Sequence, residues 1–185
     1  MNLAKSLRSA SRQELRAQIT HGHSVDPEAL EGFVYRGTSL GLPKLAEKLT
    51  WKTFQKTFYR DTTTGQLLGW NVRLHQDGID APSRPIVKDG RPVCVWHYEV
   101  IEPRGVAMPK DFDRGLIIDY SRAENPFFDT VRWVKDPLVA LAPGNYDALL
   151  GVSYAVVGGV CVETPTYFTL EREKPIDYVP YGDGT

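Results

Sequence analysis

Between Phe33 and Arg172, apolar residues recur at every second position in one short run after another. The joints between runs are mostly brief and rich in Gly and Pro. Parallel strands need a crossover of roughly a dozen residues or more, so the sheet is predicted to be antiparallel. The clearest run is Gln66 to His75, with Leu68, Trp70, Val72 and Leu74 on one face and Gly69, Asn71 and Arg73 on the other. Lys52 to Arg60 precedes it, with Phe54 and Phe58 alternating against Lys56 and Arg60. Asp61-Thr-Thr-Thr-Gly65 is the turn that makes the two a hairpin. Phe33–Gly37, Val93–Ile101, Gly115–Tyr120, Val131–Val134, Leu138–Leu141, Ala148–Val157 and Thr166–Glu173 bring the count to about nine strands. Many short strands behind one helical preface predict a mainly β domain, an antiparallel β-barrel with an N-terminal helix. Closing such a barrel requires its first and last strands, Phe33–Gly37 and Thr166–Glu173, to pair.

The 185 residues suit a single domain. It divides into a helical segment (1–31), the barrel (32–173) and a tail along the surface (174–185). Residues 2–20 contain no Gly or Pro and read as one helix. Lys5, Arg8, Arg12 and Arg16 share one face and Leu3, Leu7 and Ala10 another, while Leu15 and Ile19 fall off that apolar stripe. Such a helix packs by one edge on the body, or serves as a membrane-surface or partner contact. Asp26-Pro27-Glu28 has the chemistry of a helix start. Leu42 to Leu49 reads as a short helix, and residues 76–92 as a long loop, a lid or simply mobile.

The charge balance excludes several classes. A net charge of −1 gives no field to attract nucleic acid. No apolar run approaches the ~20 residues of a membrane span, and the N-terminus lacks a signal-peptide pattern, so a cytoplasmic protein without a transmembrane segment is expected. Cys94 and Cys161 read as buried free thiols. His21-x-His23 has no further ligand at metal spacing, and His75 and His97 stand alone, so no metal site is predicted. Gly151-Val-Ser-Tyr-Ala155 lacks the second glycine of a nucleophile elbow, and Gly37-Thr-Ser-Leu-Gly41 lacks the Lys-Ser/Thr of a phosphate loop.

The most suggestive constellation is His97-Tyr98-Glu99. His97 and Glu99 share a face by period two and, with Asn71 and Arg73, form a candidate polar cluster in a barrel interior. A second group is Asp119-Tyr120, Arg132, Tyr154 and Tyr167, tyrosine being apolar in body and polar at its tip.

Gly32-Phe33-Val34-Tyr35-Arg36-Gly37 resembles the motif of a family of small β-rich proteins named for Gly-x-Trp-x-Gly, with Tyr35 where the tryptophan is expected and one extra residue before it. Thr38 to Pro43, Ile118 to Tyr120, Asp147 to Gly151 and Tyr167 to Arg172 look similar to later stretches of that family. The resemblance implies a calycin-like barrel, the architecture of lipocalins, which hold small apolar molecules. It implies no activity.

The function expected first is binding of a small hydrophobic or amphipathic ligand in the lumen, by Tyr35, Trp70, Arg73, His97, Arg132, Tyr154 and Tyr167. Haem is a sub-case, with His97 or His75 as axial ligand. The alternative is a metal-independent acid–base enzyme (isomerase, cyclase or lyase) on a hydrophobic substrate, with His97 and Glu99 as the catalytic pair. A third reading is an interaction protein working through residues 2–20.

Overall fold

The computed structural model describes residues 3–41 and 51–181. Ten strands form: β1 (Phe33–Leu40), β2 (Thr53–Arg60), β3 (Leu67–Arg73), β4 (Val87–Lys88), β5 (Arg91–Pro92), β6 (Cys94–Ile101), β7 (Leu116–Asp119), β8 (Val134–Ala142), β9 (Asn145–Val157) and β10 (Val160–Pro175). Eight of them close into one antiparallel barrel in the order β1-β10-β9-β8-β7-β6-β3-β2, and β2 returns to β1. β4 and β5 make a separate two-stranded ribbon. The first and last barrel strands meet from Phe33 opposite Pro175 to Leu40 opposite Tyr167, so no barrel edge is left unpaired. The helix expected at Leu42 to Leu49 lies outside the described residues.

The barrel wall has eight strands rather than nine because two expected strands are one. Val131 to Val134 is mostly a 3-10 turn, Thr130–Trp133, capped by the Asp129 side chain. β8 then runs unbroken through Asp136-Pro137. A proline cannot donate to a ladder. Here the β8–β9 ladder skips the position: Lys135 pairs with Tyr154 and Leu138 with Gly151, with no paired residues between.

Alternation sorts the wall into two faces, and both are covered. Inside, Tyr35, Phe58, Leu67, Val100, Leu116, Leu138, Leu149 and Leu170 form one buried cluster with Val25 and with Leu30 of a short helix, α3 (Pro27–Leu30). This cluster plugs one end of the barrel. Outside, a helix packs Leu15 and Ile19 against Val139, Leu150, Val152 and Tyr167.

The expected single helix over 2–20 is corrected. A first turn, α1 (Leu3–Ser6), and a 3-10 turn (Leu7–Ser9) end at Ala10, and α2 (Arg12–His21) restarts behind Ser11. Ser11 Oγ accepts from the Glu14 backbone N–H and the Glu14 carboxylate accepts from that of Ser11, a capping box. The restart turns Leu15 and Ile19, off the first stripe, into the buried anchors. Arg8 pairs with Asp80 and Arg16 with Glu163, so both bases are engaged within the chain.

The long loop lies on the outer wall. Arg36, facing outward from β1, donates to Ser83 Oγ and to the carbonyls of Gly78 and Ile79. The tail reaches Tyr181, whose ring meets Trp70 edge-on at 5.5 Å. Cys94 and Cys161 are free and half-buried rather than fully buried, and burial pushes the Cys94 thiol up to about 11. Among the described residues no helix is long and apolar enough to cross a membrane.

Candidate binding site in the barrel lumen

Above the plug the lumen holds a cavity of about 450 Å³. That lies within the ~300–1,000 Å³ range of small-molecule sites. Phe54, Phe168, Val134, Trp51 and Trp96 give it an apolar wall, and Lys56, Asn71, Tyr120, Asp136 and Ser153 a polar floor.

The floor is built from residues two apart on strands. Phe54, Lys56 and Phe58 alternate inward along β2, so the lysine enters the barrel between two phenylalanines. Its side chain is 2% exposed. Lys56 Nζ donates to Asn71 Oδ1 at 3.1 Å and to the hydroxyl of Tyr120, and lies 3.4 Å from Asp136 Oδ2. Tyr120 in turn donates to Asp136 Oδ2 at 2.8 Å, and Ser153 Oγ to Oδ1 at 2.7 Å. One carboxylate thus collects an ammonium, a phenol and an alcohol. Burial pushes the Lys56 amine below its ordinary value, against the pull of Asp136. Burial, with Asp136 beside it, pushes the Tyr120 phenol well above its ordinary value.

Four rings surround the amine: Tyr98 at 4.9 Å, Tyr120 at 5.0 Å, Phe168 at 5.4 Å and Phe54 at 5.7 Å from ring centroid to Nζ. A cation over a ring face is stabilised by the ring quadrupole, more so away from water. Three of these rings are laid in place by glycines. Gly37 is the cross-strand partner of Phe54, Gly69 of Tyr98 and Gly151 of Phe168. A Cβ on any of the three would stand 2.2 Å from the ring opposite. Each ring therefore lies across a bare stretch of backbone.

The mouth is narrowed by Trp51 and Trp96, stacked with centroids 4.7 Å apart. Trp96 is held at φ 50°, rare for a bulky residue, and its indole N–H donates to Asp129.

The structure brings few of the sequence candidates to this cavity. Tyr35 is on the lumen side but within the plug, donating to the Tyr146 carbonyl and accepting from Arg172. Arg73 shares a face with Asn71, yet it stands exposed at the rim with its guanidinium 5.1 Å from the Trp51 ring. Arg132 donates to the Asn125 carbonyl, while its neighbours Asp129, Thr130 and Val131 line the cavity.

The lumen placement expected for Trp70, His97, Glu99, Tyr154 and Tyr167 is corrected, because each falls on the outer face. Trp70 is sealed beneath Tyr181. His97 Nδ1 meets the Tyr181 hydroxyl at 2.7 Å, and Glu99 faces Arg122 at 3.7 Å. Tyr154 donates to the Ala107 carbonyl, and Tyr167 lies under α2. His75 is exposed, so neither histidine considered for haem reaches the lumen. Among the described residues no three His, Cys, Asp or Glu side chains converge as metal ligands.

Lys56, Asp136 and Ser153 escaped the sequence reading. The expectation that Phe54 and Phe58 alternate against Lys56 is corrected: residues 54, 56 and 58 have the same parity, so the lysine between two phenylalanines shares their face. Asp136 was hidden by Pro137, which reads as a break. No protein-family model, curated protein or solved structure matches this chain.

Proposed function

We propose that the protein binds a small amphipathic molecule in the lumen, its polar end at the Lys56–Asp136 floor and its apolar body between Phe54, Phe168 and the Trp51–Trp96 pair. The observation that carries this reading is the cavity itself. It is apolar-walled and polar at the bottom, the composition typical of small-molecule sites. A floor of this kind is also expensive to keep: a buried ion pair stabilises a fold poorly compared with apolar residues of similar volume. The calycin-like reading suits a barrel plugged at one end with a cavity above the plug. A cytoplasmic location suits two unpaired cysteines.

The acid–base reading moves with the chemistry. His97 and Glu99 face outward, so a proton-transfer role in the lumen would fall to Lys56, Tyr120 and Asp136. The interaction reading through residues 2–20 has least support, because Leu15 and Ile19 are spent on the barrel wall.

The test is native mass spectrometry of the full chain purified from its own host, together with titration by 1-aminoanthracene, a neutral apolar fluorophore. A co-purified mass, or saturable fluorescence lost in Phe168→Asp but kept in an outer-face variant such as Arg36→Ala, is the expected result. Binding equal in both variants would place the fluorophore elsewhere and sink the proposal.

A further inference from the structure

We infer that the lumen selects ligands whose polar end is a neutral oxygen, an alcohol, aldehyde or ketone, and discriminates against carboxylates. This rests on the binding role proposed above and names the class of ligand.

The charge balance at the floor decides which head group it accepts. A lone buried lysine at the bottom of an apolar barrel would be a carboxylate receptor. Here Asp136 sits 3.4 Å from the amine, with side chains 2% and 3% exposed, so the lysine already has its anion. A second carboxylate arriving at the floor would lie beside the first. Two like charges at such a distance, with little solvent between them, repel strongly. A phenol and an alcohol also point at Asp136 and are committed to it. The floor is therefore electroneutral but strongly dipolar.

A neutral oxygen fits that floor without upsetting it. Asn71 gives its carbonyl oxygen to Lys56 and also hydrogen-bonds Tyr120, so it is committed within the floor. Thr130 and Thr166 add hydroxyls to the cavity lining. These hydroxyls can donate to an alcohol or carbonyl oxygen without requiring a counter-charge. The rings around the amine work in the same direction, since their faces present negative charge to Lys56 and would present it to an incoming anion too.

The experiment is displacement of 1-aminoanthracene from the full chain by decan-1-ol, decanal and decanoate, which share a chain and differ at the head. Decanol and decanal are expected to compete at least about tenfold better than decanoate, equivalent to about 1.4 kcal/mol. In Asp136→Asn the amine loses its anion, and decanoate is expected to gain at least about tenfold while decanol shifts by less than about threefold. If decanoate competes with the wild-type chain as well as decanol does, the inference is overturned while the binding role stands. If the fluorophore saturates but decanol and decanal do not displace it, the inference is likewise overturned; if the fluorophore itself does not saturate, both fail. The wild-type comparison requires no variant, so an Asp136→Asn chain that does not fold leaves the inference testable.

Discussion

The amine of Lys56 and the carboxylate of Asp136 lie 3.4 Å apart inside the barrel, on β2 and β8, which stand across the closed wall from each other, with side chains 2% and 3% exposed. Their coupling makes the first prediction. Removing one partner leaves the other buried and unpaired, a loss of about 3–5 kcal/mol, whereas replacing both by apolar residues is often neutral or stabilising. Lys56→Met and Asp136→Leu should each lower the urea midpoint sharply. The double variant should recover most of the loss. Additive losses in the double variant would show that the two groups do not act as a pair.

The three glycine–aromatic pairs make the second. Gly151→Ala would put a methyl 2.2 Å from the Phe168 ring, and Gly37→Ala one 2.2 Å from Phe54. Neither glycine has positive φ, so the cost is steric and not conformational. Overpacking of this kind costs about 1–3 kcal/mol. The rings can yield only toward the cavity, because the strand lies behind them. Both variants should therefore lose 1-aminoanthracene affinity together with stability. A Gly65→Ala control sits in the β2–β3 turn, with open space around its Cβ position but φ +73°. It should lose stability without losing affinity.

At the mouth, two magnitudes oppose each other. Trp96 at φ 50° stores strain of about 1–3 kcal/mol. Stacking on Trp51 returns about 0.5–1.5 kcal/mol, and a glycine in its place would cost about 0.5–1 kcal/mol in chain entropy. The variant also gives up the indole hydrogen bond to Asp129, about 0.5–1.5 kcal/mol, so Trp96→Gly is expected to lower stability only modestly. The mouth, however, loses half of its aromatic pair. Stopped-flow dissociation of 1-aminoanthracene should become several-fold faster, a change in retention without a matching change in stability.

The period-two pattern was enough to reveal an antiparallel barrel, because alternation survives in single strands such as β3. It did not reveal which face was the lumen. That inference works when one face is solvated, and here the outer face is covered as well. Trp70 is roofed by Tyr181, Tyr167 by α2, and Tyr154 by the loop carrying Ala107. Large aromatics therefore occur on both sides of the wall, and their presence in the sequence does not distinguish the two. Asn71 and Arg73 were read as sharing a polar face that turns inward, and Asn71 does reach the floor. The glycines that set the cage were legible as residues but not as a device, since Gly37, Gly69 and Gly151 gain their meaning from partners in neighbouring strands.

The last prediction concerns the tail. His97 packs against Tyr181 on the outer wall, with its backbone N–H held by the Asn125 side chain. Burial pushes its imidazole below the ordinary value, and the Glu124 carboxylate only partly opposes this. An unfolded chain protonates this histidine near pH 6.5, while the folded chain still holds it neutral. Between that pH and the lower folded value the unfolded state binds more protons, so stability rises with pH across the window and is lost as pH falls through it. The wild-type urea midpoint should therefore drop between pH 7.5 and pH 5, and His97→Gln should flatten part of that slope. Protonating the ring in place also charges a site shared with Tyr181 and Trp70, so hydrogen exchange of residues 176–181 should accelerate over the same interval in the wild type. If exchange in the tail accelerates equally in His97→Gln, another group governs the tail and His97 is a bystander.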